Sequence, residues 1–189
     1  MGNKSLTVLI ISWLTAFGSV GQTVKTELTI KDVSGKSIRP FSKTKPSVLI
    51  FTTYDCPVAN KMAPEIRHIA SNYKDKINFL LIYTDPDTSP NELATHRKDF
   101  GLNEITSILD AKHTLVKATG AEITPEAVII KKGKVLYRGR INNFYEDFGK
   151  PRRVITQHDL RDAIAAILSG KKVPQPRGEC IGCYIPKLK

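Results

Sequence analysis

Three cysteines, Cys56, Cys180 and Cys183, are the residues of this chain best suited to covalent chemistry. Pro57 follows Cys56 directly, and proline sits well in the first turn of a helix, where its missing N–H is no loss. The pair therefore predicts a thiol at a helix N-terminus. There the helix dipole and free backbone N–H groups favour a thiolate, lowering the thiol's pKa from its free value of about 8.5. Cys56 is a candidate nucleophile on this reading, and an ordinary small buried hydrophobe on the blander one.

A thiolate that attacks a disulfide or a peroxide needs a second thiol to release the mixed disulfide or sulfenic acid. The pair Cys180-Ile-Gly-Cys183 offers one. The stretch from Gly170 to Cys180 spans at most about 35 Å when extended, enough to cross one domain and bring a tail sulfur to Cys56. Either Cys180 or Cys183 is a candidate resolving thiol, and their CxxC could carry oxidising equivalents outward. Two alternatives stand beside this. A Cys180–Cys183 disulfide could merely staple a loose end. Or Cys56, Cys180 and Cys183 together could hold copper(I), for which soft sulfur ligands select, or zinc with one added ligand. Met62 and His68 are the nearest further ligands, although Met62 reads more simply as core filler, and His68, His96, His113 and His158 as surface residues.

The elements that must position Cys56 can be read from periodicity. Val48 to Phe51 is an apolar, β-branched run that predicts a buried strand, and Ile66, Ile69 and Ala70 mark one face of a helix from about Pro57 to Tyr73, bent at Pro64. Ile77 to Tyr83 is a second buried strand. Strand, helix and strand in so short a span make a βαβ unit, hence a parallel pair and an α/β class. Open α/β sheets place their chemistry at such strand exits.

Ahead of this unit, Val24, Thr26, Leu28 and Ile30 alternate as in a strand, and Asp32-Val-Ser-Gly35 reads as the turn of an N-terminal β-hairpin. Beyond it come a helix from Asn91 to Phe100, a short strand from Thr106 to Leu109 and a helical turn from Thr114 to Thr119. Thr124-Pro125 precedes a strand from Ala127 to Ile130, which Gly133 turns into Lys134 to Ile141. Asn142 to Thr156 reads as an irregular loop, and Gln157 to Leu168 as a last helix with Thr156 as N-cap. Lys171 to Lys189 lacks periodicity and reads as an extended tail.

Composition narrows the function. Of the 189 residues 41% are hydrophobic, enough for one real core. Lys4, the apolar run Leu6 to Phe17 and the small residues Ser19-Val20-Gly21 form a secretory leader pattern, with cleavage expected before Gln22; that implies a secreted or periplasmic protein without stable membrane association after cleavage. The expected division is a leader over 1–21, one domain over 22–170 and a cysteine-bearing tail over 171–189. The net charge of +11 could attract nucleic acid, but the basic residues are scattered, so a solvated basic surface is expected and no nucleic-acid partner. The glycines fall singly at turns with no GxGxxG, so no organic cofactor is implied.

The element order, with Cys-Pro at a helix start and a later Thr-Pro, resembles the thioredoxin fold, and in detail the redoxin branch that includes peroxiredoxins and exported thiol-disulfide oxidoreductases. The resemblance covers about Thr23 to Gly170. It implies a central mixed sheet flanked by helices, a cis Pro125 beside the active cysteine with Thr124 before it, and thiol–disulfide exchange or thiol-dependent, antioxidant peroxide reduction. Partners would be protein or small thiols, disulfides or peroxide. Three departures matter: thioredoxins carry CxxC where this chain has Cys56-Pro57-Val58-Ala59; Thr53 matches the threonine of the peroxiredoxin PxxxTxxC, but Leu49 replaces its proline; and Thr52 stands where copper-delivering Sco proteins have the first cysteine of CxxxCP. Arg138 or Arg140 could stabilise an anionic sulfur, Lys61 could lower the pKa of Cys56, and Asp55 could raise it.

Overall fold

The structure, a computed structural model, describes residues 22–188; the leader pattern falls outside them. In chain order the elements are β1 (Ile30–Lys31), β2 (Ser37–Ile38), β3 (Ser47–Thr52), α1 (Pro57–Tyr73), β4 (Asn78–Tyr83), α2 (Pro90–Asp99), β5 (Thr106–Leu109), α3 (Thr114–Thr119), β6 (Ile123–Thr124), β7 (Glu126–Lys131), β8 (Lys134–Gly139), β9 (Tyr145–Asp147), β10 (Lys150–Pro151), α4 (Asp159–Leu168) and β11 (Cys183–Tyr184). Five strands form the main sheet in the order β5-β4-β3-β7-β8. β3, β4 and β5 run parallel, and β7 and β8 are antiparallel to their neighbours, giving the mixed sheet expected.

Every residue of β3 is buried, because successive side chains of a central strand point to opposite faces and here both faces are covered. Val48 and Ile50 join one cluster with Met62, Ile66 and Ile69 of α1 and Leu160 and Ile164 of α4. Leu49 and Phe51 join the other, with Leu115 of α3 and Phe41. The sheet thus holds β3 rigidly between two cores, and its carboxyl end delivers Thr53 to Cys56 to the rim.

Several elements differ from expectation. The alternation from Val24 to Ile30 does not make a full strand. Instead Gln22 and Val24 lie along the β8 hairpin, the Val135 N–H donating to the Gln22 carbonyl at 3.0 Å and the Val24 N–H to Gly133 at 2.8 Å, which leaves the hairpin only β1 and β2. Its turn is fixed by Asp32, whose Oδ1 accepts the Ser34 and Lys36 N–H groups at 2.9 and 3.0 Å. Thr156 is not the cap of α4: His158 holds that position, and the Thr156 hydroxyl accepts from Asn143 Nδ2 at 2.7 Å. The irregular loop contains the small β9-β10 ribbon. The tail also departs from expectation, since β11 pairs antiparallel with β6 in the register Cys183 opposite Thr124 and Tyr184 opposite Ile123.

Candidate active site

Cys56 occupies the N-cap of α1 with extended backbone, φ −74° and ψ 111°, and Pro57 opens the first turn. Its carbonyl accepts the Asn60 N–H at 2.9 Å, so the residue is locked to the helix start. The side chain is buried, 1% exposed, among Val58 and Ala59 with Tyr145 and Cys183 against them. The sulfur meets two partners: it donates to the Thr124 carbonyl at 3.3 Å and lies 2.6 Å from the sulfur of Cys183. A disulfide bond is about 2.05 Å long, so a shift of about half an ångström joins the pair.

The Thr124-Pro125 peptide bond is cis, as the resemblance implied. Thr124 serves the site twice, through its carbonyl toward Cys56 and through its hydroxyl, which donates to the Cys183 carbonyl at 3.3 Å. The Ile185 N–H extends the pairing by donating to Glu122 at 2.9 Å. Thr53, buried just beyond β3, sits three positions ahead of Cys56 on the same loop.

The cysteines of the tail separate sharply. Cys183 meets Cys56, whereas the Cys180 sulfur reaches only the Gly178 carbonyl, at 3.9 Å. Burial pushes the Cys180 thiol far up, with the nearby Glu126 carboxylate adding to the shift. Burial also raises the Cys183 thiol to about 12, helped by its hydrogen bond to Cys56. Among the described residues no group of three or more His, Cys, Asp or Glu side chains is placed to hold a metal ion. The copper reading required three converging sulfurs, and two converge.

Both arginines are claimed by partners other than the Cys56 sulfur. Arg138 pairs with buried Glu126, Nε to Oε1 at 3.2 Å, and donates to the Gly120 carbonyl. Arg140 pairs with Asp159, Nε to Oδ2 at 3.0 Å, and donates to Gln157. Asp55 and Lys61 are both exposed. Glu126 in turn accepts the Glu122 and Ile123 N–H groups at 2.7 and 3.3 Å, so the Glu126–Arg138 pair shapes the β6 segment that receives the tail.

His96 and His113, expected at the surface, are both buried. His113 Nε2 lies 2.7 Å from the Thr84 carbonyl. His96 bridges the site's outer frame: Nδ1 is 2.8 Å from the Tyr83 hydroxyl, Nε2 is 2.8 Å from Asn60 Oδ1, and Asn60 Nδ2 donates to the Tyr54 carbonyl at 3.0 Å. The chain of contacts runs from α2 to the loop two residues before Cys56. An i, i+3 relation to Leu93, the other buried residue of α2, was the available signal that His96 faces inward.

The sheet order, the cysteine at the start of α1 and the cis proline beside it define a thioredoxin-like fold. A family model described as Redoxin matches residues 18–147, and the chain belongs to the redoxin family. It is 29% identical over 101 residues to the thioredoxin-like protein HCF164 of Arabidopsis thaliana chloroplasts, a match covering 52% of this chain and 36% of that protein; the chain thus spans about a third of that relative's length. An uncharacterized conserved protein from Geobacillus kaustophilus superposes with a TM-score of 0.73 at 23% identity, over 90% of this chain and 94% of its own. A secreted Mycobacterium tuberculosis disulfide oxidoreductase homologous to Escherichia coli DsbE gives 0.51 at 22% identity, over 58% and 81%. Among the described residues no helix is long and apolar enough to cross a membrane.

Proposed function

We propose that this protein is an exported thiol oxidoreductase in which Cys56 attacks and Cys183 of the tail resolves. The observation that carries the reading is the 2.6 Å separation of the two sulfurs. In thiol–disulfide exchange, the Cys56 thiolate attacks one sulfur of a partner disulfide, and the other sulfur leaves as a thiolate. Cys183 then attacks the Cys56 sulfur of the mixed disulfide, closing Cys56–Cys183 and releasing the second partner thiol. The partner disulfide is reduced by two electrons and the protein's dithiol is oxidised by the same two. Peroxide reduction uses the same pair: the Cys56 thiolate attacks one peroxide oxygen, the O–O bond breaks and the other oxygen leaves as water or an alcohol, and Cys183 then attacks the resulting sulfenic acid and expels water as the disulfide closes.

Exchange is the favoured reaction because the resolving thiol arrives on a β-strand, the shape a protein partner could copy. The secreted M. tuberculosis oxidoreductase agrees in kind. Export follows from the leader pattern over 1–21, with the secreted or periplasmic space as destination. The antioxidant role rests on Thr53 and the thiol pair.

The experiment is disulfide mapping by mass spectrometry of reduced, leaderless protein treated with one equivalent of hydrogen peroxide or of glutathione disulfide. A Cys56–Cys183 link is expected in the wild type and in Cys180→Ser, and none in Cys183→Ser. A Cys180–Cys183 link with Cys56 left alkylatable would sink the reading.

A further inference from the structure

The tail segment that brings Cys183 to Cys56 lies in a shaped groove. β6 supplies one edge, through the antiparallel pairing with β11 and the Ile185 N–H to Glu122 bond. Next to it Ile181 closes one side of a small cleft whose apolar walls include Val58, Met62, Pro125, Ile141 and Tyr145, with Arg140 and Asn142 as its polar edge. Between Ile181 and Cys183 the chain touches the cis-proline turn so closely that a Cβ on Gly182 would run into the Thr124 carbonyl oxygen and come within 2.8 Å of its carbon. Tyr184 points away and is 83% exposed. Ile181 thus faces the cleft, Cys183 meets Cys56 and Tyr184 stands in solvent.

One polar group in the cleft is unaccounted for. The buried Nδ2 of Asn142, which also lines the cleft, has no hydrogen-bond partner, although buried amide donors are nearly always satisfied. A carbonyl of a strand seated deeper than the tail would satisfy it.

We infer that this groove is the recognition site for the protein partner, and that it selects an extended segment of the form aliphatic-glycine-cysteine, of which Ile181-Gly182-Cys183 is the resident copy. The inference rests on the thiol-exchange reading of Cys56 and names its substrate class. Each position has a physical cause: the cleft half-buries an aliphatic side chain, the Thr124 carbonyl excludes any Cβ, and the third position sets its sulfur on Cys56. Partner strand and tail take the groove in turn. The partner cysteine first forms the mixed disulfide with Cys56; when the tail returns, Cys183 attacks the Cys56 sulfur, closes Cys56–Cys183 and displaces the partner as a thiol. Resolution and product expulsion are then one event.

The test uses the full leaderless chain with Cys180→Ser and Cys183→Ser, so that Cys56 is the sole thiol, and with Ile181→Asp, at a residue that belongs to neither core, to unseat this stretch of the tail. Three hexapeptides are offered as mixed disulfides with thionitrobenzoate: Glu-Ser-Ile-Gly-Cys-Tyr, its Ile→Asp form and its Gly→Ala form. The mixed disulfide of mercaptoethanol with thionitrobenzoate serves as control. Release of the coloured thiolate reports attack by Cys56. The matched peptide is expected to react at least about tenfold faster than either variant peptide, as the partial burial of one aliphatic side chain predicts for the Ile→Asp form and the clash with the Thr124 carbonyl for the Gly→Ala form. If all three peptides react at one rate while the mercaptoethanol disulfide reacts normally, the inference is overturned and the thiol chemistry stands. If Cys56 attacks none of them, the reading of Cys56 as nucleophile falls and takes the inference with it. Repeating the series with Ile181 restored adds a check: the seated tail should slow the matched peptide, and no slowing counts against a shared groove.

Discussion

Cys56 and Cys183 lie 127 positions apart in the chain, and their sulfurs stand 2.6 Å from each other. The two thiols reach that point by different means. Cys56 is held by the start of α1 behind a fully buried strand, whereas Cys183 is held by a strand of only two residues laid against β6. One partner is rigidly mounted and the other rests on a few hydrogen bonds, so the tail is the element able to leave.

The protonation of Cys183 should therefore set the rate of ring closure. Burial raises its thiol to about 12, and only the thiolate attacks. Below that value the thiolate fraction grows about tenfold per pH unit. With Cys56 loaded as a mixed disulfide with a small thiol, release of that thiol is expected to accelerate steadily from pH 7 to pH 9. Stopped-flow measurement of the released thiol checks this, and a rate flat across the range would show that Cys183 is already ionised or is not the attacker.

His96 is expected to matter for stability. It links Tyr83 on one side to Asn60 on the other, so His96→Leu leaves a buried hydroxyl and an amide oxygen without partners, at a cost of about 2 to 4 kcal/mol. Burial also lowers the pKa of His96 below its ordinary value of 6.5. The sign follows: in the window below 6.5 the unfolded chain takes up a proton that the folded one resists, so stability is lost as pH falls into that window. Urea unfolding at pH 7.5 and pH 5.5 should show the wild-type advantage over His96→Leu shrinking at the lower pH.

Much of this architecture could be read from the sequence, and the failures share a cause. The helix from Pro57 to Tyr73, the strand from Thr106 to Leu109 and the turn of helix from Thr114 to Thr119 have the bounds that local pattern assigns them. Cys56 at a helix start was also legible, because strand exit and Cys-Pro are local signals, and the cis peptide before Pro125 is what the family resemblance implied. What was not legible depends on partners distant in sequence. The tail carries no strand pattern of its own, and its pairing arises only because Thr124 presents an open edge. Arg138 or Arg140 was a candidate to stabilise an anionic sulfur, but Glu126 and Asp159 claim them. His96 sits in a helix whose other residues are mostly polar, and nothing local names Tyr83 as its partner.

Glu126 offers a second test of the frame around β6. Glu126→Ala removes the acceptor of two N–H groups and the partner of half-buried Arg138, which should cost about 2 to 3 kcal/mol. Glu126→Gln keeps an acceptor oxygen and should cost less. Burial raises the pKa of this carboxyl above 4.5, so between that value and its folded pKa the native state holds a proton the unfolded chain has lost. The wild-type stability relative to Glu126→Gln should accordingly decline as pH rises through the window, measured by denaturant midpoints from pH 4.5 upward.

The close approach at Gly182 predicts a cysteine-bearing tail that fails although its thiol is intact. In Gly182→Ala the new methyl must displace either the tail or the Thr124 carbonyl, and the carbonyl is the less able to move, since it belongs to the segment that Glu126 fixes through the Glu122 and Ile123 N–H groups. The tail therefore lifts. Cys183 keeps its chemistry but loses its place, and loss of proximity is among the largest penalties available to a reaction between two groups. Oxidation of the reduced variant by glutathione disulfide should leave a long-lived mixed disulfide, most simply on Cys56, with Cys56–Cys183 closure slowed at least about a hundredfold. Quenching with acid at timed intervals and weighing the intact protein follows both species. Tyr184→Ala, at a side chain pointing into solvent, should close at the wild-type rate. Equal closure in Gly182→Ala and the wild type would mean that the tail reaches Cys56 without the strand pairing, and the groove would then have no part in resolution.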